Sequence, residues 1–318
     1  MNTAFFRNPL LDPGPDPWMV WHEGFYYLTA TVMDRIEIRR AKSITELADA
    51  PPVVVWQEDE PSRNQEMWAP EFYLLDGPNG RRWYLYFTAS DGVEANHRIH
   101  VLESEGDDPL GPYFYKASLK TDAHNEHYAI DAGLIQLGDG RLFCLWTGWP
   151  GHLLFIAPME NPWTLTGERV QIEADGFGCD EVREGPVVLR RNGKIFLFYS
   201  VCDVGKPDYK LGMLVADENA DLLDAANWKQ HPEPVFARCD ERGVFGPGHN
   251  GFFHSPDGKE TWIIYHAKTT KEYTYAGRSA RAQKIEWDEQ GVPRPGVPMS
   301  LETEVPVPSG DPASHNPD

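Results

Sequence analysis

The chain has 318 residues, 41% of them hydrophobic and 12% aromatic, with 27 prolines and 28 glycines. That supports a sizeable core and favours many short strands joined by turns over long helices. Its formal net charge of −20 excludes nucleic acid and an anionic membrane as partners, because phosphate binding needs clustered Lys and Arg, and leaves a neutral ligand as the better fit.

The N-terminal run "MNTAFFRNPLLDPG" lacks a long apolar stretch, and no apolar run of about 18 residues follows anywhere. Neither a secretion signal nor a membrane span is written, so a cytoplasmic location is expected unless a leader has been trimmed. Cys144, Cys179, Cys202 and Cys239 stand far apart with no CxxC pair. Neither a zinc site nor a redox motif is encoded, and free thiols in a reducing compartment are expected.

The first predicted hairpin, "DPWMVWHEGFYYLTAT", starts at Asp16 and turns at Glu23-Gly24. Asp16 stands between Pro15 and Pro17, and the second proline predicts a stiff, extended backbone for it. The same pattern of polar residue, short apolar strand, Gly-containing turn and aromatic-rich strand returns four times. The copies are "EFYLLDGPNGRRWYLYFTAS" from Glu71, "DAGLIQLGDGRLFCLWTG" from Asp131, "EGPVVLRRNGKIFLFYS" from Glu184 and "HNGFFHSPDGKETWIIYHA" from His249. Their turns carry hairpin chemistry. The last stretch, 301–318, "LETEVPVPSGDPASHNPD", is expected to be a polar C-terminal tail after a single domain over 1–300.

The second strands begin near Tyr26, Trp83, Leu142, Ile195 and Trp262, spaced by 57, 59, 53 and 67 residues. A unit of about 60 residues holds one four-stranded antiparallel sheet. Five such sheets repeated around an axis predict an all-β fold, a five-bladed β-propeller. Asp16, Glu71, Asp131, Glu184 and His249 stand 10 to 13 residues before these second strands, which predicts that all five sit near one mouth of the central channel. Carboxylates gathered in a partly desolvated site have their pKa values driven apart, which supplies an acid and a base together. Two carboxyls flanking an acetal bond are the working parts of a glycosidase, separated by about 6.5–9.5 Å in an inverting one. Capping of sheet ends or water binding in the channel is the competing explanation. Trp18, Trp21, Trp68, Trp146 and Trp149 lie near these segments, and Trp68, three residues before Glu71, is the one expected to face a sugar. Of Arg278 and Arg281, three apart on one strand, only one can reach the pocket, and Arg278 is preferred for holding sugar hydroxyls. The cluster "DAHNEH" at 122–127 reads as a polar loop.

In order along residues 8–299, the motifs "NPLLDPGPDPWMVWHEGFYYLT", "MWAPEF", "NHRIHVLE", "YAIDAG", "EGPVVLRRNGKIFLFYS", "DYKLGMLVA", "GVFGPGHNGFF" and "GRSARAQKIEWDEQGVPRPGVP" resemble glycoside hydrolase family 43. The resemblance implies five-bladed propellers acting on arabinose- and xylose-containing glycans by inversion. It implies Asp16 as general base, Glu184 as general acid and Asp131 as the carboxylate that modulates the pKa of the acid and orients it. Trp68, Glu71 and Arg278 are the expected substrate contacts. His249 matches a residue that approaches a channel ion, usually calcium, largely through water, although one imidazole is a poor match to a hard cation's oxygen cage; no organic cofactor is implied. "WAPEF", "NHRIHVLE" and "RSARAQK" are similar to exo-acting α-L-arabinofuranosidases, whose partner would be a neutral pentose oligosaccharide or polysaccharide. A β-xylosidase, an arabinofuranosidase active on arabinoxylan and a non-catalytic carbohydrate-binding propeller are the alternatives.

Overall fold

The computed structural model describes residues 4–315. Five antiparallel sheets follow one another along the chain. Blade I is Trp18–His22, Phe25–Thr29, Ile36–Ala41 and Pro52–Trp56, and blade II is Gln65–Gly77, Gly80–Ser90, Arg98–Ser104 and Tyr113–Ser118. Blade III comprises Ala129–Gln136, Leu142–Gly148 and Leu153–Asn161, with the short strands Thr164–Leu165 and Val170–Ile172. Blade IV is Arg183–Arg191, Lys194–Val201, Lys210–Asp217 and Lys229–Gln230, and blade V is Phe245–His254, Thr261–Lys268, Ser279–Trp287 and Pro293–Arg294. Strands pair in chain order within each blade, except that Val170–Ile172 of blade III pairs with Leu153–Asn161, and the first strands of neighbouring blades touch around the ring. The fold is the five-bladed β-propeller expected.

Local chemistry accounts for the hairpins. Glu23-Gly24 and Asn192-Gly193 both take positive φ at both positions (45° and 84°, 51° and 74°), the two-residue turn that matches the twist of its strands. The second strands are buried almost throughout, as Lys194–Val201 shows after its first residue. A strand covered on both faces reads as a continuous apolar run, not as an alternation.

Two expectations fail here. Residues 301–315 do not leave the domain: Phe5–Phe6 pairs with Val305–Pro306, Val305 and Val307 are buried beside Phe6, Leu10 and Ile44, and the buried Asp311 accepts the Ile44 amide at 3.0 Å. Two alternating valines suffice to seat a stretch that composition marks as polar; residues 316–318 lie outside the described residues. Cys179 and Cys202, expected as free thiols, form a disulfide with Cα atoms 4.9 Å apart, while Cys144 and Cys239 are free. The bridge ties the segment entering blade IV to the end of that blade's second strand, a proximity that spacing along the chain does not reveal.

Candidate active site

Each first strand contains, or in blade I follows, a left-handed residue whose successor breaks the ladder. The pairs are Asp16-Pro17, Ala69-Pro70, Asp131-Ala132, Gly185-Pro186 and His249-Asn250, with φ of 53°, 44°, 56°, 57° and 44° at the first member. In blades II to V the strand register shifts at this point, as a β-bulge requires; in blade I the ladder begins just after it, at Trp18. Asp16 is therefore left-handed, not extended as its following proline predicts. Three of the five second members are proline, which loses nothing where the ladder has no use for an N–H.

These bulges redraw the five-fold ring. Asp16, Asp131 and His249 occupy the bulge itself, whereas blades II and IV place Ala69 and Gly185 there. Glu184 precedes its bulge by one residue and Glu71 follows by two. The residue two past each bulge faces the next blade: the Trp18 indole donates to the Phe72 carbonyl at 3.0 Å, and a Cβ on Gly133 would lie 1.9 Å from the Pro186 carbonyl. Glu71 is accordingly buried and bonded to the Tyr73 hydroxyl. It is absent from the cavity wall, so its expected contact with substrate is not supported by its position.

A second set of residues, two past the cross-strand partners of those positions, closes the ring. They are Thr31, Thr88, Thr147, Ser200 and His266. The Ala69 amide donates to Thr31 Oγ1 (2.8 Å), the Asp131 amide to Thr88 Oγ1 (3.2 Å), the His249 amide to Ser200 Oγ (2.8 Å) and the Asp16 amide to His266 Nδ1 (3.1 Å). Four of five blade junctions are thus latched alike. The junction of blades III and IV departs: Thr147 donates to the Arg183 carbonyl at 3.2 Å, and the Gly185 amide donates instead to Asp131 Oδ2 at 3.1 Å. That exchange couples the Asp131 carboxyl to the backbone that carries Glu184.

The mouth holds a cavity of about 490 Å³ whose wall includes Asp16, Asp131, Glu184, His249, Trp68, Tyr128, His152, Asp203, Tyr275 and Arg278. Burial opposes a charge on Asp16, but the Arg278 guanidinium, with Nη1 2.8 Å from Oδ1, holds its carboxyl well below the usual range. Thr31 Oγ1 donates to its other oxygen at 2.8 Å. His266 Nδ1 also lies 3.3 Å from Asp16 Oδ1; having accepted the amide proton, it has none to give there, and burial holds the ring neutral with a pKa of about 3. Burial lowers His249 likewise, so Arg278 is the cation that keeps Asp16 ionised. Glu184 goes the other way: burial pushes it up to about 7, against the hydrogen bond that Tyr209 donates to Oε1 at 2.6 Å. Asp131 is raised by burial, then by Glu184 and Asp16, because a charge on one carboxyl opposes a charge on its neighbour. One pocket thus holds an ionised carboxylate and a protonated carboxylic acid near neutral pH.

Trp68 lines the cavity, stacked on His97 at 3.9 Å. Trp18 and Trp146 are buried in the blade packing and Trp149 is exposed. Arg278 reaches the cavity with its guanidinium committed to Asp16, while Arg281 is buried against Ser279 and Ala267. The 122–127 stretch is a loop closed by the Asp122 carboxylate on the amides of His124, Glu126 and His127. Sequence reasoning missed Tyr209, His266 and Thr31. The signal for the last two was a hydroxyl or imidazole at one place near the end of each aromatic strand.

The family model for glycosyl hydrolases family 43 matches residues 6–293. An extracellular exo-α-(1→5)-L-arabinofuranosidase of Streptomyces avermitilis is 35% identical over an alignment of 317 positions that covers 94% of this chain and 64% of that protein. The enzyme of the same name from Streptomyces chartreusis is 35% identical over 284 residues, covering 85% of this chain and 84% of its own length. The chain thus spans less than two thirds of the first relative and most of the second. The crystal structure of an α-L-arabinofuranosidase from Lactobacillus brevis superposes with a TM-score of 0.85 at 32% identity, covering 94% of this chain and 98% of that one.

Proposed function

The chain belongs to the glycosyl hydrolases of family 43, and from that membership we propose that it is an inverting exo-α-L-arabinofuranosidase releasing terminal arabinose from α-1,5-linked arabinan or arabino-oligosaccharides. Asp16 is the general base that aims and deprotonates the attacking water. Glu184 is the general acid that protonates the departing oxygen. Asp131 holds the Gly185 amide beside the acid and discourages its ionisation, and Trp68 offers a face to the sugar. The observation that carries this reading is the split in protonation between Asp16 and Glu184 across one cavity, the division of labour that acetal hydrolysis needs. The names of the relatives support arabinose as the sugar. The test is release of 4-nitrophenol from the α-L-arabinofuranoside against the β-D-xylopyranoside. Preference for the xyloside would keep the machinery and replace the substrate; turnover of neither aryl glycoside nor of arabinoxylan, with binding retained, would favour the binding module.

A channel ion at His249 would meet one unpartnered nitrogen, Nε2. Among the described residues no group of three or more His, Cys, Asp or Glu is placed to hold a metal. That donor set does not fit a directly coordinated calcium ion, which takes several oxygens, and no step is routed through one. The disulfide and relatives named as extracellular support work in an oxidising setting, where such bridges persist, in place of the cytoplasmic location expected from the lack of a secretion signal.

The pH dependence follows from the two carboxyls. Glu184 must be protonated, so kcat/KM falls as pH rises through about 7, by about tenfold per unit. The depressed Asp16 stays ionised well below the usual carboxylate range and does not limit the acid side there. Tyr209→Phe removes a hydrogen bond that favours the charged form of Glu184. The alkaline limb is then expected to move up by about one pH unit while kcat falls, because Oε1 is no longer held. A pH–rate profile with an unmoved limb contradicts the contact's role.

A further inference from the structure

If Glu184 is the acid, as proposed above, the glycosidic oxygen lies against it and the rest of the leaving chain lies on its side of the cavity. There the wall is formed by Asp203, Val204 and Tyr275, and the charge of Asp203 is felt by Glu184. The Tyr273 and Tyr275 hydroxyls lie 2.8 Å apart and 3.2 and 3.3 Å from Asp203 Oδ2. Two protons serve these three contacts, so a hydroxyl lone pair stays available to a ligand. The two rings meet edge-on with centroids 5.7 Å apart, and remain 59% and 54% exposed.

This rim is built to hold its shape. The Gly205 amide donates to Asp203 Oδ1 at 2.7 Å, and the Thr274 amide donates to the Gly205 carbonyl at 3.0 Å. The ammonium of the buried Lys268 bridges the carbonyls of Gly205 (2.6 Å) and Thr274 (3.0 Å). Burying an ammonium is costly unless its hydrogen bonds are met, and here it locks the loop that carries Asp203 to the loop that carries both tyrosines. The Tyr273 ring lies so close over Gly205 that a Cβ there would sit 3.1 Å from it. Cys202, adjoining Asp203, is tied to Cys179. Rigid aromatic faces with a fixed polar anchor are what a sugar with one apolar face requires.

We propose that Tyr273, Tyr275 and Asp203 form the subsite that receives the first sugar of the leaving chain, a neutral pentosyl residue stacked on the tyrosine faces. The subsite favours a glycan leaving group over a small alcohol. It is tested by kcat/KM on α-1,5-arabinotriose and on methyl α-L-arabinofuranoside, whose methanol cannot fill it. Tyr273→Ala is expected to lower the arabinotriose-to-methyl ratio about tenfold, the worth of one aromatic platform, mainly through KM. Tyr273→Phe, which keeps the ring, lowers the ratio about twofold at most. Should the alanine variant fold poorly, Asp203→Asn is read the same way and lowers the ratio several-fold by releasing both rings. A ratio unchanged in these variants, with the wild type active on arabinotriose, overturns the subsite alone. A wild type that frees arabinose from neither compound overturns the function reading and the subsite with it.

Discussion

Glu184→Gln is expected to lower kcat on arabino-oligosaccharides by about 10³-fold, while turnover of 4-nitrophenyl α-L-arabinofuranoside falls about tenfold or less. The difference lies in the leaving group: an alkoxide cannot depart without a proton, whereas 4-nitrophenolate needs little help. Glutamine keeps an oxygen for the hydrogen bond that Tyr209 donates and adds no volume, so the cavity and the blade IV bulge persist. The alkaline limb near pH 7 should also disappear on the aryl substrate, because its titrating group is gone. Equal losses on both substrates would remove Glu184 from the acid's role.

Asp16→Asn should cost about 10³-fold or more on both substrates, since the attacking water loses its base whatever leaves. Asparagine is the informative replacement. It tolerates the left-handed backbone that Asp16 adopts (φ 53°) better than most residues, and its carbonyl can still accept from Arg278 or Thr31. The fold is therefore retained, and an unchanged unfolding midpoint is the control. Activity within tenfold of the wild type would break the assignment. The backbone around Asp16 is over-determined: its amide is held by His266, its carboxylate by Arg278 and Thr31, and the Pro15 carbonyl by the Thr31 amide at 2.9 Å. These contacts override the extended preference that Pro17 imposes and explain why a carboxylate stands between two prolines.

The five-fold repeat was legible because hairpins announce themselves through Gly-containing turns and aromatic second strands. Its phase was less legible. Counting back from the second strand crosses a turn of variable length, as the Asp76–Gly80 loop against Glu23-Gly24 shows, so the count landed on Glu71 and Glu184 when the bulges sit at Ala69 and Gly185. The dipeptides Asp-Pro, Ala-Pro and Gly-Pro at 16, 69 and 185 were the better marker, each placing proline where the ladder is broken. Asp131 and Glu184 could be named from sequence, but not the Gly185 amide that links them, because that link exists only through the departure of one blade junction from the other four. Tyr209 was invisible for a similar reason: its hydroxyl meets Glu184 across two strands of blade IV, 25 residues apart. The tail over 301–315 and the Cys179–Cys202 bridge are also products of tertiary proximity that local composition does not encode.

On this assignment Asp16 and Glu184 act on opposite sides of one terminal arabinofuranosyl bond. Hydrolysis of α-1,5-arabinopentaose, followed by ¹H NMR during the first minutes and by product sizing, tests it most directly. β-L-Arabinofuranose is expected as the first-formed anomer, with arabinotetraose as its partner. An α-configured first product would contradict inversion and the assigned base, and arabinobiose with arabinotriose as the first pair would contradict removal from the chain end.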